Sequence, residues 1–284
     1  DCCFRGLVRS GRLAAGDVVE RGELVLPVGL RDSTIVSCDL GDGVAIDRVG
    51  LIAHTIVGDG CVLLNVGSVS TSRHAVFGHG WVRGGDRAVI QVGNEAGGRA
   101  ILPFAGMRPA DAWVWSRHRE DTVLMQRFVE LTDALDDRNE GHYSRIGASC
   151  VVRETRVLRD VRLGHYATVA GAGRIENVTL ASCARQPTQV TDALLIEDGI
   201  ADEGCRLGAG VQARRFVLGE RVTLESGVRL SHTVVGDNST IACCEVLHNL
   251  IFPLHEQHHN NSFLIATTLM GQSNIAAGPT IGSN

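Results

Sequence analysis

The chain has 284 residues, a net charge of −5 and a pI of about 6.1. No long basic block marks a nucleic-acid or anionic-membrane partner, no apolar run reaches the roughly 18 residues of a membrane span, and no secretory signal opens the chain. Only 4% of residues are aromatic, against 34 glycines, so the interior has to be assembled from Val, Ile, Leu and small residues rather than from aromatic bulk.

The first residue is Asp, and the natural start is expected upstream. From residue 36 onward, apolar residues recur every six positions in sets of three. Leu40, Ile46 and Ile52 are followed by Val57, Leu63 and Val69, then Ile146, Val152 and Leu158, then Leu163, Val169 and Ile175. Later sets are Leu218, Leu224 and Leu230, then Val235, Ile241 and Leu247. The chain closes on Phe263, Leu269, Ile275 and Ile281. Leu40 to Val57, Ile146 to Leu163 and Leu218 to Val235 each advance by 17 residues. A helix needs spacings of three and four, and an ordinary strand needs two. A period of six means three short flat faces per turn, each giving one large residue to the interior. Two places earlier stands a small or β-branched residue: Val44, Gly50, Cys61, Gly67, Cys150, Ala167, Gly173, Ser239. Strand alternation puts it on the same, inner side. Gly41, Gly58, Gly147, Gly164, Gly219, Gly236 and Gly282 follow the first large residue of a turn, where a tight corner favours glycine. Most of the nine cysteines, which include no CxxC, read as small buried fillers in a reducing, cytoplasmic compartment.

Between Val69 and Ile146 the period fades. Residues 76–102 look like strands without a firm register. Residues 109–137 look helical: Pro109 and Asp111 suit a first turn, and Leu124, Phe128, Leu131 and Leu135 form a one-sided stripe just after Trp113 and Trp115. This helix is expected to brace the outside of the coil. The organisation is therefore N-terminal coils over 1–108, a helical insertion over 109–140 and C-terminal coils over 141–284. Shorter interruptions fall at 251–262 and 181–189; loops leaving a rigid coil are favoured places for function. The last residues open a new hexad, so the coil is expected to continue, or to be covered by a partner.

The strongest chemical candidate is His255, Glu256, His258, His259, Asn260 and Asn261. Histidine moves protons near neutral pH. One reading is a general base with Glu256 orienting an imidazole and the asparagines holding a polar substrate. Another is metal ligation through His255 and His259, four apart; a third is a solvated polar loop. The second candidate is Asn94, Glu95, Gly97, Gly98 and Arg99, where glycines let amides approach an anion and Arg99 holds a phosphate or carboxylate; a plain turn explains it equally. In Gly171–Arg174 only Arg174 needs a reason beyond architecture. His54, His74, His79, His142, His165, His232 and His248 are scattered, though those on adjacent turns can meet in space.

An aliphatic residue followed by Gly, with a small residue at the fifth place, resembles the hexapeptide-repeat superfamily over most of residues 36–250 and 263–284. The resemblance implies a left-handed parallel β-helix, here with one α-helical insertion. It also implies an acyltransferase, usually a homotrimer with sites between coils, a His base and acyl-CoA as co-substrate. The acceptor would be a small molecule such as a sugar or nucleotide-sugar, the base one of His255, His258 or His259. The run from His255 to Asn284, with NEAGGR at 94–99 and the helical insertion, resembles more closely an uncharacterised bacterial family of long hexapeptide-repeat proteins without a settled activity. That resemblance adds Gln272 and Asn274 as polar site residues. Two further functions stay open: a metal-dependent lyase similar to the carbonic anhydrases built on this fold, whose ligand spacing is not matched here, and a non-catalytic scaffold or regulatory module.

Overall fold

A computed structural model describes residues 1–73, 75–80, 82–83, 86–135, 143–192 and 194–282. Most of the chain winds into one parallel β-solenoid with three flat faces. On the first face the inward ladder runs Ile46, Leu63, Val152, Val169, Val190, Leu207, Leu224, Ile241 and then Gln257. On the second it runs Ile35, Ile52, Val69, Leu158, Ile175, Ile196, Ala213, Leu230, Val246, Leu264 and Ile281. On the third it runs Leu40, Val57, Ile146, Leu163, Leu180, Ala201, Leu218, Val235, Ile251 and Leu269. These residues line one continuous core, and among the described residues no cysteine is paired in a disulfide. Cys38, Cys61, Cys150, Cys205 and Cys244 are buried in it.

Three details differ from the repeat as read. The turn that pairs Val235 with Ile251 is one residue short, at the corner held by Cys243 and Cys244. A one-residue slip swaps inside for outside, so Val246 and Leu264 point inward where Leu247 and Phe263 were expected. On the second face the inward small residues are Val49, Val66 and Ala172; Gly50, Gly67 and Gly173 sit outside the core. The corner glycines answer a different need from backbone freedom. A Cβ on Gly41 would lie 2.4 Å from the Asp59 carboxylate, and one on Gly219 2.2 Å from that of Asp237. Those carboxylates accept the N–H groups of Asp42 (2.8 Å) and Glu220 (3.0 Å) on the preceding turn. Glycine clears the space for a capping Asp one turn on.

Apart from the turn where the excursion leaves, the corner between the second and third faces is a single left-handed residue: Ser37, His54, Asp160, Asn177, Asp198, Arg215, His232, His248 and Ala266. Polar residues, Asn, Asp and His above all, tolerate that conformation. The described residues between Ser70 and Ser144 leave the stack, and Val62–Ser70 pairs directly with Val151–Arg153 and Val157–Leu163 across the gap. The excursion holds an antiparallel pair, Ile90–Gln91 with Ala100–Ile101, and two helices rather than one: α1, Pro109–Arg117, and α2, Thr122–Leu135. Residues 136 and 137 lie outside the described set. Asp111 accepts the N–H of Arg108 (2.8 Å) and so starts α1. Helix α1, not the striped α2, rests on the coil; α2 meets α1 through a Trp115–Phe128 stack (4.6 Å). Ile90, Val92, Ile101, Phe104, Met107 and Trp115 pack against Val217, Val234 and Leu250, the outward residues of the third face. Near the N-terminus a hairpin, Val18–Arg21 with Leu24–Pro27, covers the outside of the first face over Ala45, Val62 and Val151.

Candidate functional site

The His-rich segment is divided by the coil. His255 takes the small inward position and Gln257 the large one, so both lie inside at 0% exposure. His255 Nδ1 bonds to Ser273 Oγ (2.9 Å) and Nε2 to Gln257 Oε1 (3.1 Å), while Gln257 Nε2 donates to Ser262 Oγ (3.0 Å). Burial pushes the His255 pKa down. With both ring nitrogens engaged in the core, His255 faces no solvent, contrary to its expected place in a polar loop. Glu256 points out beside His258 (3.8 Å). His258 and His259 are exposed, their rings 4.4 Å apart. Asn260 and Asn261 line a shallow hollow of about 260 Å³ with Arg229, Cys243 and Phe263. Gln272 and Asn274 are exposed on the next turn, where Asn274 bridges to Glu256. Arg174 is bound to Glu176, which is itself buried. That pair belongs to a charged outer ladder in which Arg214 also meets Glu197 (3.5 Å).

The 94–99 turn closes on itself. Asn94 Nδ2 donates to the Gly97 carbonyl (2.6 Å), Asn94 Oδ1 accepts from the Ala96 N–H (3.0 Å), and Arg99 Nη1 donates to the Gly93 carbonyl (2.8 Å). Glu95 is exposed. The turn docks at the corner between the second and third faces, where Gly93 N–H donates to the His248 carbonyl (2.6 Å). His258 and His259 stand at the corner between the first and second faces, so within one chain the two predicted clusters are not on the same corner.

The docked turn stands instead beside two histidines that sequence reading left among the scattered ones. His232 and His248 occupy the same corner on adjacent turns and stack at 4.7 Å with planes 5° apart. A single residue, Gln91, clamps both. Gln91 N–H donates to His232 Nδ1 (3.0 Å), and the Gln91 carbonyl accepts from His248 Nδ1 (2.9 Å). An N–H only donates and a carbonyl only accepts. His232 Nδ1 is therefore bare and His248 Nδ1 carries its proton, which leaves the lone pair of His248 on Nε2. Among the described residues that Nε2 has no partner. Burial, then the neighbouring His248, Arg215 and Arg214, lower His232 to about 4. The column spacing, 37 to 54, 160 to 177 and 215 to 232, was the sequence signal that placed these side chains on one edge.

Elsewhere Arg108, next to α1, donates from Nη1 to both Asp237 carboxylate oxygens (2.7 and 2.9 Å) beside Glu220. Burial raises the nearby Asp202 to about 6. Among the described residues no group of three His, Cys, Asp or Glu side chains is placed to hold a metal ion. Among the described residues no helix is long and apolar enough to cross a membrane.

A parallel β-solenoid carrying a docked excursion and a clamped histidine pair defines the class. The whole chain, residues 1–284, matches the model "Domain of unknown function (DUF4954)". It is also similar to a protein of Treponema pallidum (strain Nichols) described as uncharacterized, with 45% identity over 285 residues, covering 99% of this chain and 39% of that protein. The chain belongs to the DUF4954 family and spans about two-fifths of the length of the relative it matches.

Proposed function

We propose that this solenoid is left-handed, of the hexapeptide-repeat kind, and works as an acyltransferase with His248 as its general base. The clamped pair carries the reading. His248 Nδ1–H is fixed on the Gln91 carbonyl, which orients the ring and leaves Nε2 as the proton acceptor. His232, held neutral by burial, adds no positive charge next to it. In the step proposed, Nε2 takes the proton from a hydroxyl or amine of a sugar or nucleotide-sugar. That atom attacks the thioester carbonyl of acyl-CoA, and the tetrahedral intermediate collapses with loss of the CoA thiolate. A homotrimer, with neighbouring copies closing the site, belongs to the same reading, as does a cytoplasmic setting for the unpaired cysteines.

The test is release of free CoA from acetyl-CoA across a panel of UDP-sugars. His248→Ala is expected to lower turnover about a hundredfold or more. Equal turnover in the variant, or no acceptor-dependent release by the wild type, overturns the proposal.

A second reading has its own observation. Asp160 accepts from Ser72 N–H (2.6 Å) and Asn177 from Gly78 N–H (3.0 Å), just as His232 accepts from Gln91. The corner column is thus a zipper that docks the excursion, which suits a scaffold. In that case His248→Ala lowers the melting temperature and leaves any transfer activity untouched.

A further inference from the structure

A different groove lies on the outside of the first face, away from the histidine corner. One wall is the tip of the Val18–Pro27 hairpin, with Arg21 and Leu24; the other is the 181–189 loop, with Ala184 and Pro187. The floor is the outer surface of three successive turns, from Val151 through Thr168 to Gln189. Its volume is about 470 Å³, within the usual range for a small-molecule site.

Three side chains give it chemistry. Tyr166 presents a ring that is 48% exposed. It stands at a left-handed corner position (φ 62°) that Gly43, Gly60 and Gly204 fill on some turns and Ser149, Arg221, Asn238 and Leu254 on others. A bulky residue there is held at a cost in backbone energy, and its exposed ring recovers little by packing. Arg21 reaches across the groove wall: Nη2 donates to the Gly60 carbonyl (2.7 Å) and to Ser149 Oγ (3.0 Å), and Nη1 to the Glu20 carbonyl (2.8 Å). Its Nε is buried with no acceptor. Arg153 lies on the floor, exposed. Among the described residues neither Arg21 nor Arg153 is in an ion pair, whereas Arg9, Arg108, Arg174, Arg214 and Arg229 each are. Glu23 is the single carboxylate on the lining. A cationic, hydroxyl-bearing groove with one open aromatic ring stands out on a chain of net charge −5.

We propose that this groove binds a nucleoside diphosphate, the base stacked on Tyr166 and the diphosphate held by Arg21 and Arg153. An aromatic face stacks on a base, and a guanidinium with unspent N–H groups donates them to phosphate oxygens. The proposal stands without the transferase reading, because it uses none of the residues at the histidine corner.

The experiment is isothermal titration of the purified protein with UDP, uridine and inorganic pyrophosphate, alongside thermal melting. UDP is expected to bind more tightly than either fragment. Arg153→Ala should weaken it about tenfold. Tyr166→Asn is the discriminating variant, since Asn occupies the same kind of corner at Asn238 (φ 54°). It should leave the melting temperature unchanged or higher, yet weaken UDP about fivefold or more. Absence of UDP binding by the wild type overturns the proposal. So does pyrophosphate binding as tightly as UDP, or UDP affinity unchanged in both variants.

Discussion

Gly199 and Phe216 occupy neighbouring turns at the small inward position of the third face. A Cβ on Gly199 would lie 2.2 Å from the Phe216 ring. The bulk of one turn is thus taken from the space of the turn before. Gly199→Ala is expected to cost about 1–3 kcal/mol, the usual range for overpacking. Phe216→Val should restore most of that loss in the double variant, because the two sites share one volume. Additive losses in chemical denaturation would show that the contact does not limit the core. The same residue scale explains which sequence signals were legible. Large aliphatic residues at six-residue spacing point inward and repeat, so the ladders from Leu40 to Ile175 and from Leu218 to Ile241 could be read directly, while Leu180 to Ala213, interrupted by the 181–189 loop, were not. Gly50, Gly67 and Gly173 were misplaced because the second-face corner puts its small inward residue one position earlier. His255 was misread because nothing in HEQHHNN marks which polar residues continue the inward ladder; only the strand register from Thr240 and Ile241 does.

At the scale of elements, two features deserve separate accounts. The turn carrying His255 places a polar chain in the largely apolar core, His255, Gln257 and Ser262 buried and Ser273 at its edge. All four are hydrogen-bonded to one another, which buried polar groups require. In the unfolded chain His255 titrates near its ordinary 6.5, while burial holds the folded value lower. Between those values the unfolded state binds more protons. The contribution is therefore full above about pH 6.5 and is lost as the pH falls toward the folded value, at up to about 1.4 kcal/mol per pH unit. Amide protection factors at residues 250–265, with the intrinsic pH dependence of exchange divided out, should fall below about pH 6.5 in the wild type and stay flat in His255→Gln; a flat wild-type profile of protection contradicts this. The excursion is the second feature. Its docking was invisible to a reading that sought only inward residues. The signal was present as the outward apolar residues Val217, Val234 and Leu250, which break strand alternation where α1 and the Ile90–Gln91 strand cover them. Each covered side chain contributes roughly 1.5–3 kcal/mol. The single expected helix became two because the segment from His118 to Asp121 turns back, letting Trp115 meet Phe128.

Across the whole molecule, the parallel coil acts as a ruler that brings residues far apart in sequence to one edge. Gln91 reaches His232 and His248 across separations of 141 and 157 residues. That is why the fold was legible from period alone while the site was not: the period fixes which column a residue joins, but not which column the excursion covers. The central claim is that a substrate meets His248 Nε2. A crystal structure of the protein with a non-hydrolysable acyl-CoA analogue and a UDP-sugar tests it most directly. The account predicts the acceptor hydroxyl or amine within hydrogen-bond reach of His248 Nε2 and the thioester carbon next to it. Ligand bound elsewhere on the coil, with His248 Nε2 facing only protein, would contradict it.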